Sequence, residues 1–158
     1  MFNRIVLATD GTASGDAAVS FTLALVRESG ASVRVVHVNE RLVGGRGVAS
    51  ETELEAMDIV DRAVARLRWA GANADGVHHL ANCFRVCEVI AEAAHSWGAD
   101  VIVFGSRRHR RFPRLAGRGI RERVTALTGL PALTSPPPLR VAQDLRREQL
   151  PEPLLAGR

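Results

Sequence analysis

An α/β fold, three-layered α/β/α around a five-stranded parallel sheet, follows from three features of the sequence. Short apolar or valine-rich runs alternate with stretches of helical spacing along the first 135 residues. Glycines stand where several of those helical stretches should stop. Two sharp turns, Thr9-Asp10-Gly11-Thr12 and Gly105-Ser106-Arg107, each follow an apolar strand. Strands linked through helices pair in parallel by right-handed crossovers.

The elements follow in order. Ile5-Val6-Leu7-Ala8 is a buried strand ending in a turn. Residues 14–28 are helical, with Ala17, Ala18, Phe21, Ala24 and Leu25 at helical spacing and Gly30 as the stop. Val33 to Val38 is a second strand, and 39–50 reads as a polar, mobile loop carrying Gly44-Gly45-Arg46-Gly47. Residues 51–70 form the clearest helix. Ser50 and Glu53 make a capping-box pattern, and Leu54, Met57, Val60, Val64 and Leu67 mark the inward face. A short, weaker strand spans 75–81. Residues 85–97 are helical, with Val86, Val89, Ile90 and Ala93 inward and Gly98 as the stop. Val101-Ile102-Val103-Phe104 is a buried strand, 119–128 a helix, and Pro131-Ala132-Leu133-Thr134 a short final strand. Pro136-Pro137-Pro138 breaks the pattern. The chain thus divides into a domain over 1–135 and a polar, proline-containing tail over 136–158, with one short helix at 139–149.

A chain of 158 residues suits one domain, and 46% hydrophobic residues exclude a largely disordered one. No apolar run approaches the roughly 18 residues of a membrane span. Met1-Phe2-Asn3-Arg4 runs straight into the first strand, which reads as no signal peptide and a cytoplasmic protein. Cys83 and Cys87 lie one helical turn apart, a spacing awkward for a disulfide and unlike the usual zinc patterns even with His78 and His79 nearby. They read as small buried hydrophobes. His37, His78, His79 and His95 share no spacing that suggests catalysis. Trp69 and Trp97, near helix ends, read as covers for the core. No nucleophile–base pair stands out, so the chain reads as a binding module and not an enzyme.

All 21 basic residues are arginine. Residues 107–123 hold eight of them and a single acid, Glu122, a local balance of +7, so the rest of the chain carries −3. This cluster has three readings: a solvated loop, a side-chain grip on a phosphate-bearing ligand, or a surface for nucleic acid or another polyanion. Phe112 is its one aromatic residue, too little for a base-stacking platform, so nucleic acid is not expected.

Ligands of open parallel sheets bind beyond the carboxyl ends of the strands, where strand order reverses. That rule points at the turns after the first and fourth strands. Asp10 suits either ligand contact or holding the turn and capping the next helix. Val38 reads as a core strand residue.

Three segments carry a family resemblance. Ile5-Val6-Leu7-Ala8-Thr9-Asp10-Gly11-Thr12 with Ser14, then Val36-His37-Val38, then Gly98-Ala99-Asp100-Val101-Ile102-Val103-Phe104-Gly105-Ser106-Arg107 resemble, in order and spacing, the bacterial universal stress proteins. The resemblance implies a nucleotide-binding sheet of the adenine nucleotide hydrolase-like type, a stress-response role and a homodimer. It also implies ATP or AMP as the ligand class, with Asp10 and Val38 holding adenosine. ATP-binding relatives carry a glycine pattern after the fourth strand: Gly, two residues, Gly, nine residues, Gly, then Ser or Thr. Such glycines let backbone N–H groups reach phosphate. Here Gly105 fits the first glycine, but the second falls on Arg108, the third on Arg118 and the hydroxyl position on Gly119. A one-residue slip brings Gly117 near the third position and leaves Arg108 unrescued. The candidate nucleotide-binding residues are therefore Thr9, Asp10, Val38, Gly105, Ser106, Arg107, Arg108, Gly117 and Gly119. The leading expectation is a stress-response binding or regulatory module with weak or absent ATP binding. The alternatives are a binder of ATP, AMP or cyclic AMP with an arginine-lined phosphate pocket, and a polyanion-binding accessory protein.

Overall fold

The apolar runs assemble side by side. In the computed structural model, which describes residues 1–41, 49–106 and 119–138, five strands form one parallel sheet in the order β3-β2-β1-β4-β5. The elements are β1 (Arg4–Thr9), α1 (Ala13–Ser29), β2 (Ser32–Arg41), α2 (Glu53–Trp69), β3 (Ala74–Asn82), a 3-10 turn over Cys83–Arg85, α3 (Val86–Trp97), β4 (Val101–Phe104), α4 (Ile120–Thr128) and β5 (Ala132–Thr134). The expected α/β/α architecture is therefore present. The proposed helix at 139–149 and the loop glycines Gly44, Gly45 and Gly47 lie outside the described residues.

Successive strand residues face opposite sides, so each strand feeds two cores. Ile5, Leu7, Val33, Val35, Val101 and Val103 pack under α1 and α2. Val6, Val36 and Ile102 pack with Val86, Cys87, Ile90 and Ala94 of α3 and Val124 of α4. Gly30, Gly98 and Gly129 end α1, α3 and α4 in the left-handed conformation.

Several local expectations shift. β2 runs three residues past Val38, so Asn39, Glu40 and Arg41 belong to the strand and still pair with β3. The N-cap of α2 is Thr52, not Ser50: Thr52 Oγ1 accepts from Glu55 N at 3.2 Å while Glu55 Oε2 accepts from Thr52 N at 2.7 Å. The reason is tertiary, because Ser50 Oγ donates to the buried Asn39 side chain at 3.2 Å. The buried stripe of α2 is Ala56, Val60, Ala63, Val64 and Leu67. Leu54, 77% exposed, and Met57, 41% exposed, fall to one side of it. In α1, Ser14, Gly15, Ala18, Val19 and Thr22 are buried, whereas Phe21 and Leu25 are only half-buried and Ala24 is exposed. Cys83 is half-buried and only Cys87 is fully covered.

Trp69 does not cover the core; at 93% exposure it stands in solvent at the end of α2. Trp97 does pack on the α3 side of the core. Its ring carries the guanidinium of Arg34 at 5.1 Å and that of Arg4 at 5.9 Å. Arg34 in turn grips Asp75 with two bonds, Nε to Oδ1 at 2.8 Å and a second nitrogen to Oδ2 at 2.6 Å. This brace ties together the amino ends of β1, β2 and β3, opposite the end at which the turns after β1 and β4 lie.

Candidate functional site

Strand order reverses between β1 and β4, which are neighbours in the sheet although far apart in sequence. Ala8 stands opposite Phe104, so Thr9-Asp10 and Gly105-Ser106 leave the sheet side by side. This is the switch-point crevice. Thr9 pairs with His37 on the other flank, which sets Val38 level with Asp10. Five candidate residues, Thr9, Asp10, Val38, Gly105 and Ser106, are thus gathered at one end of three adjacent strands. Arg107, Arg108 and Gly117 lie outside the described residues, as does Arg118.

The turn after β1 is built by short polar side chains. Asp10 Oδ1 accepts from Thr12 N at 3.1 Å and from Thr12 Oγ1 at 2.6 Å. Thr12 Oγ1 then accepts from Ser14 N at 3.3 Å as the N-cap of α1. Asp10 therefore does hold the turn, through the residue that caps the helix. Gly11 adopts φ +69°, and a Cβ there would meet Ile59 of α2 at 2.7 Å, so only glycine fits. Val38 is half-buried and packs on the α3 side of the core, so its core reading holds as well.

Gly105 is required by packing before any ligand is considered. A Cβ there would come within 2.7 Å of Ser14 Oγ and 2.8 Å of the Ser14 carbonyl. The close approach lets Ser14 Oγ meet Ser106 Oγ at 3.3 Å and joins the β4 exit to the first turn of α1.

Gly119 stands at the same end of the sheet as the N-cap of α4, where Arg121 hydrogen-bonds Thr134 Oγ1 at the end of β5. No side chain caps this helix. The carboxylate of Glu122 lies beside Gly119: a Cβ there would stand 2.5 Å from Glu122 Oε2, while Glu122 Oε1 pairs with Arg121 at 3.0 Å. A helix N-terminus attracts negative charge, and Glu122 is the acidic residue of the first turn of α4.

One part of this end of the molecule was not foreseen from sequence. His37 is buried, with Nδ1 2.9 Å from the Thr9 carbonyl oxygen and Nε2 2.7 Å from Glu51 Oε2. Asn39, also buried, donates to the Glu51 carbonyl at 2.8 Å. The two side chains clamp the segment entering α2 to the crevice wall. The available signal was the period-two pattern Val33, Val35, His37, Asn39, which places both polar residues on the α1/α2 face of β2.

Comparison with known proteins agrees with this fold. No curated protein matches the chain. Among solved structures, a universal stress family protein from Burkholderia pseudomallei is similar at 22% identity and a TM-score of 0.67, over 85% of this chain and 96% of that one. A universal stress protein from Archaeoglobus fulgidus in complex with dAMP is similar at 24% identity and a TM-score of 0.61, over 85% and 98%. An Arabidopsis thaliana family protein with AMP bound shows 14% identity and a TM-score of 0.60, over 84% and 90%. The family profile described as the universal stress protein family matches residues 1–133. With the parallel sheet, its switch-point crevice and this match in hand, the chain belongs to the universal stress protein family.

Proposed function

We propose that this chain is a stress-response binding or regulatory module, not an enzyme, in which ATP binding is weak or absent. The observation that carries the reading is the Glu122 carboxylate beside Gly119, the N-cap of α4. A bound triphosphate needs that helix end and the backbone groups before it. Here a carboxylate stands there, the hydroxyl position is Gly119, and the second and third glycine positions are arginines. The adenosine half is different: Asp10 and Val38 lie level with each other beside Gly105, where a nucleoside would reach them. The residues at the described phosphate end do not fit ATP as the glycine pattern would hold it. In this reading the module is cytoplasmic and works as a homodimer.

The second reading is a binder of AMP, ATP or cyclic AMP whose phosphate is gripped by arginine side chains. It draws support from two of the similar structures, which hold dAMP and AMP, and from the eight arginines between positions 107 and 123. The third, a polyanion-binding accessory protein, predicts affinity for a DNA duplex that falls steeply with salt.

Calorimetric titration of ATP and AMP at one salt concentration separates the first two. On the leading reading, the unmodified chain binds ATP weakly or not at all, and the triple variant Arg108→Gly, Arg118→Gly, Gly119→Ser gains tenfold or more. Tight binding by the unmodified chain that the triple variant loses would replace the leading reading with the second.

A further inference from the structure

A polar cleft of about 310 Å³ lies at the amino end of the sheet, the end opposite the switch-point crevice. Arg4, Ser32, Asn73, Asp75, Ser96 and Trp97 line it. The strand period puts them together. Val6, Val36 and Val77 pack on the α3 side of the sheet. Arg4, Arg34 and Asp75 stand two residues before them on the same three strands, so they turn to the same side, as does Ser32. Trp97, the last residue of α3, closes that side.

The charges here do not balance. The guanidiniums of Arg34 and Arg4 share the Trp97 ring, but only Arg34 has a carboxylate, that of Asp75. Arg4 donates to the Trp97 carbonyl at 2.7 Å. Among the described residues, no carboxylate pairs with its guanidinium. Asp100 is engaged by the backbone instead, accepting from Asn3 N at 2.7 Å and Arg4 N at 3.2 Å. Arg68, whose charge also reaches Asp75, donates to the Ala74 carbonyl at 2.7 Å. Arg4, Arg34 and Arg68 thus bring three positive charges against the two negative ones of Asp75 and Asp100.

The neutral groups are just as specific. Ser32 Oγ accepts from Asn73 Nδ2 at 3.1 Å, which leaves the Ser32 hydroxyl hydrogen to donate and the Asn73 amide oxygen to accept. Ser96 Oγ donates to the Ala93 carbonyl at 3.2 Å and keeps its lone pairs. One cationic fork therefore stands beside a donor and two acceptors suited to hydroxyl groups. A guanidinium matches a carboxylate with two parallel bonds, and a surplus of one charge suits a monoanion.

We propose that this cleft binds a small hydroxylated carboxylate, its carboxylate on Arg4 and its hydroxyl groups on Ser32, Asn73 and Ser96. The site is separate from the nucleotide crevice and stands whether or not ATP binds there.

Trp97 is the reporter. The chain has two tryptophans, and Trp69 is fully in solvent, so Trp69→Phe leaves the cleft's indole as the sole emitter. D-gluconate titrated into that variant at constant ionic strength should change the emission saturably, and xylitol, which has the hydroxyl groups without the charge, should not. Excess ATP should leave the titration unchanged. Arg4→Gln should raise the gluconate dissociation constant about tenfold or more, as expected for losing a charge-assisted pair. Ser32→Ala should weaken gluconate and leave acetate, which lacks hydroxyl groups, unaffected. It decides the matter if circular dichroism shows Arg4→Gln to be unfolded. A flat gluconate titration overturns the proposal. So does gluconate binding that neither substitution weakens, that xylitol matches, or that ATP displaces.

Discussion

The ring of His37 sits with Nδ1 2.9 Å from the carbonyl oxygen of Thr9, the last residue of β1. A carbonyl only accepts, so Nδ1 carries the hydrogen of this bond. The contact fixes the direction in which the chain leaves β1 toward Asp10, and its other nitrogen reaches Glu51 ahead of α2. Replacing His37 by alanine leaves the Thr9 carbonyl and the half-buried Glu51 carboxylate without this partner. We expect a loss of about 1–3 kcal/mol in urea unfolding. Glu51→Gln keeps a hydrogen-bonding group at that site and should cost less. An equal loss in the two variants would assign the effect to Glu51 charge and not to the link to Thr9.

Gly105 and Gly119 both fall within the glycine pattern, yet they should respond differently. Gly105→Ala drives a methyl group into the Ser14 backbone and should destabilise the protein by about 1–3 kcal/mol with no ligand present. Gly119→Ser meets only the movable end of Glu122 and supplies an N-cap hydroxyl, so stability should stay within about 0.5 kcal/mol. Thermal unfolding of the two variants without nucleotide checks this. A harmless Gly105→Ala would show that packing does not require that glycine.

The brace at the far end of the sheet predicts a pH dependence. The hydrogen-bonded Arg34 guanidinium holds the Asp75 carboxyl below its ordinary range, against the opposing effect of burial. Its folded pKa is thus lower than its unfolded one. The stability it adds is present above the unfolded value, about 3.9, and is lost as pH falls through the folded value. Asp75 is nearly half exposed, so solvent limits the effect to about 1 kcal/mol or less. The melting-temperature gap between the unmodified chain and Asp75→Asn should be widest near neutral pH and close as the pH drops below about 4. A gap that widens with acid would reverse the sign assigned here.

The shifted capping box gives a fourth expectation. Thr52→Ala removes the hydroxyl that accepts from Glu55 N and should cost about 1 kcal/mol. Ser50→Ala removes only an exposed donor to Asn39 and should cost less. Urea unfolding of both variants ranks them, and the opposite order would return the cap to Ser50.

Much of this molecule was legible before any coordinates. The strands at 5–8 and 101–104 could be read because both their faces are buried, which makes them continuous apolar runs bounded by turns. The stops at Gly30 and Gly98 could be read because a left-handed residue favours glycine whatever surrounds it. The crevice followed from strand–helix alternation and the reversal rule, which need no side-chain detail. The end of β2 was harder. Asn39, Glu40 and Arg41 look like loop residues, and they are strand only because β3 pairs with them through Asn82.

By itself, then, the sequence determined the order of elements, the parallel sheet and the two turns that meet at its carboxyl end, since local propensity and hydrophobic period suffice for these. Tertiary structure alone decided which of two equivalent capping patterns starts α2, because Asn39 takes Ser50. It also decided that Leu54, Met57 and Trp69 face solvent, that His37 ties β1 to the entrance of α2, and that Gly105 serves packing against Ser14. Each depends on which distant residue arrives at the site, and residues brought together across the fold leave no mark in the local pattern of either segment.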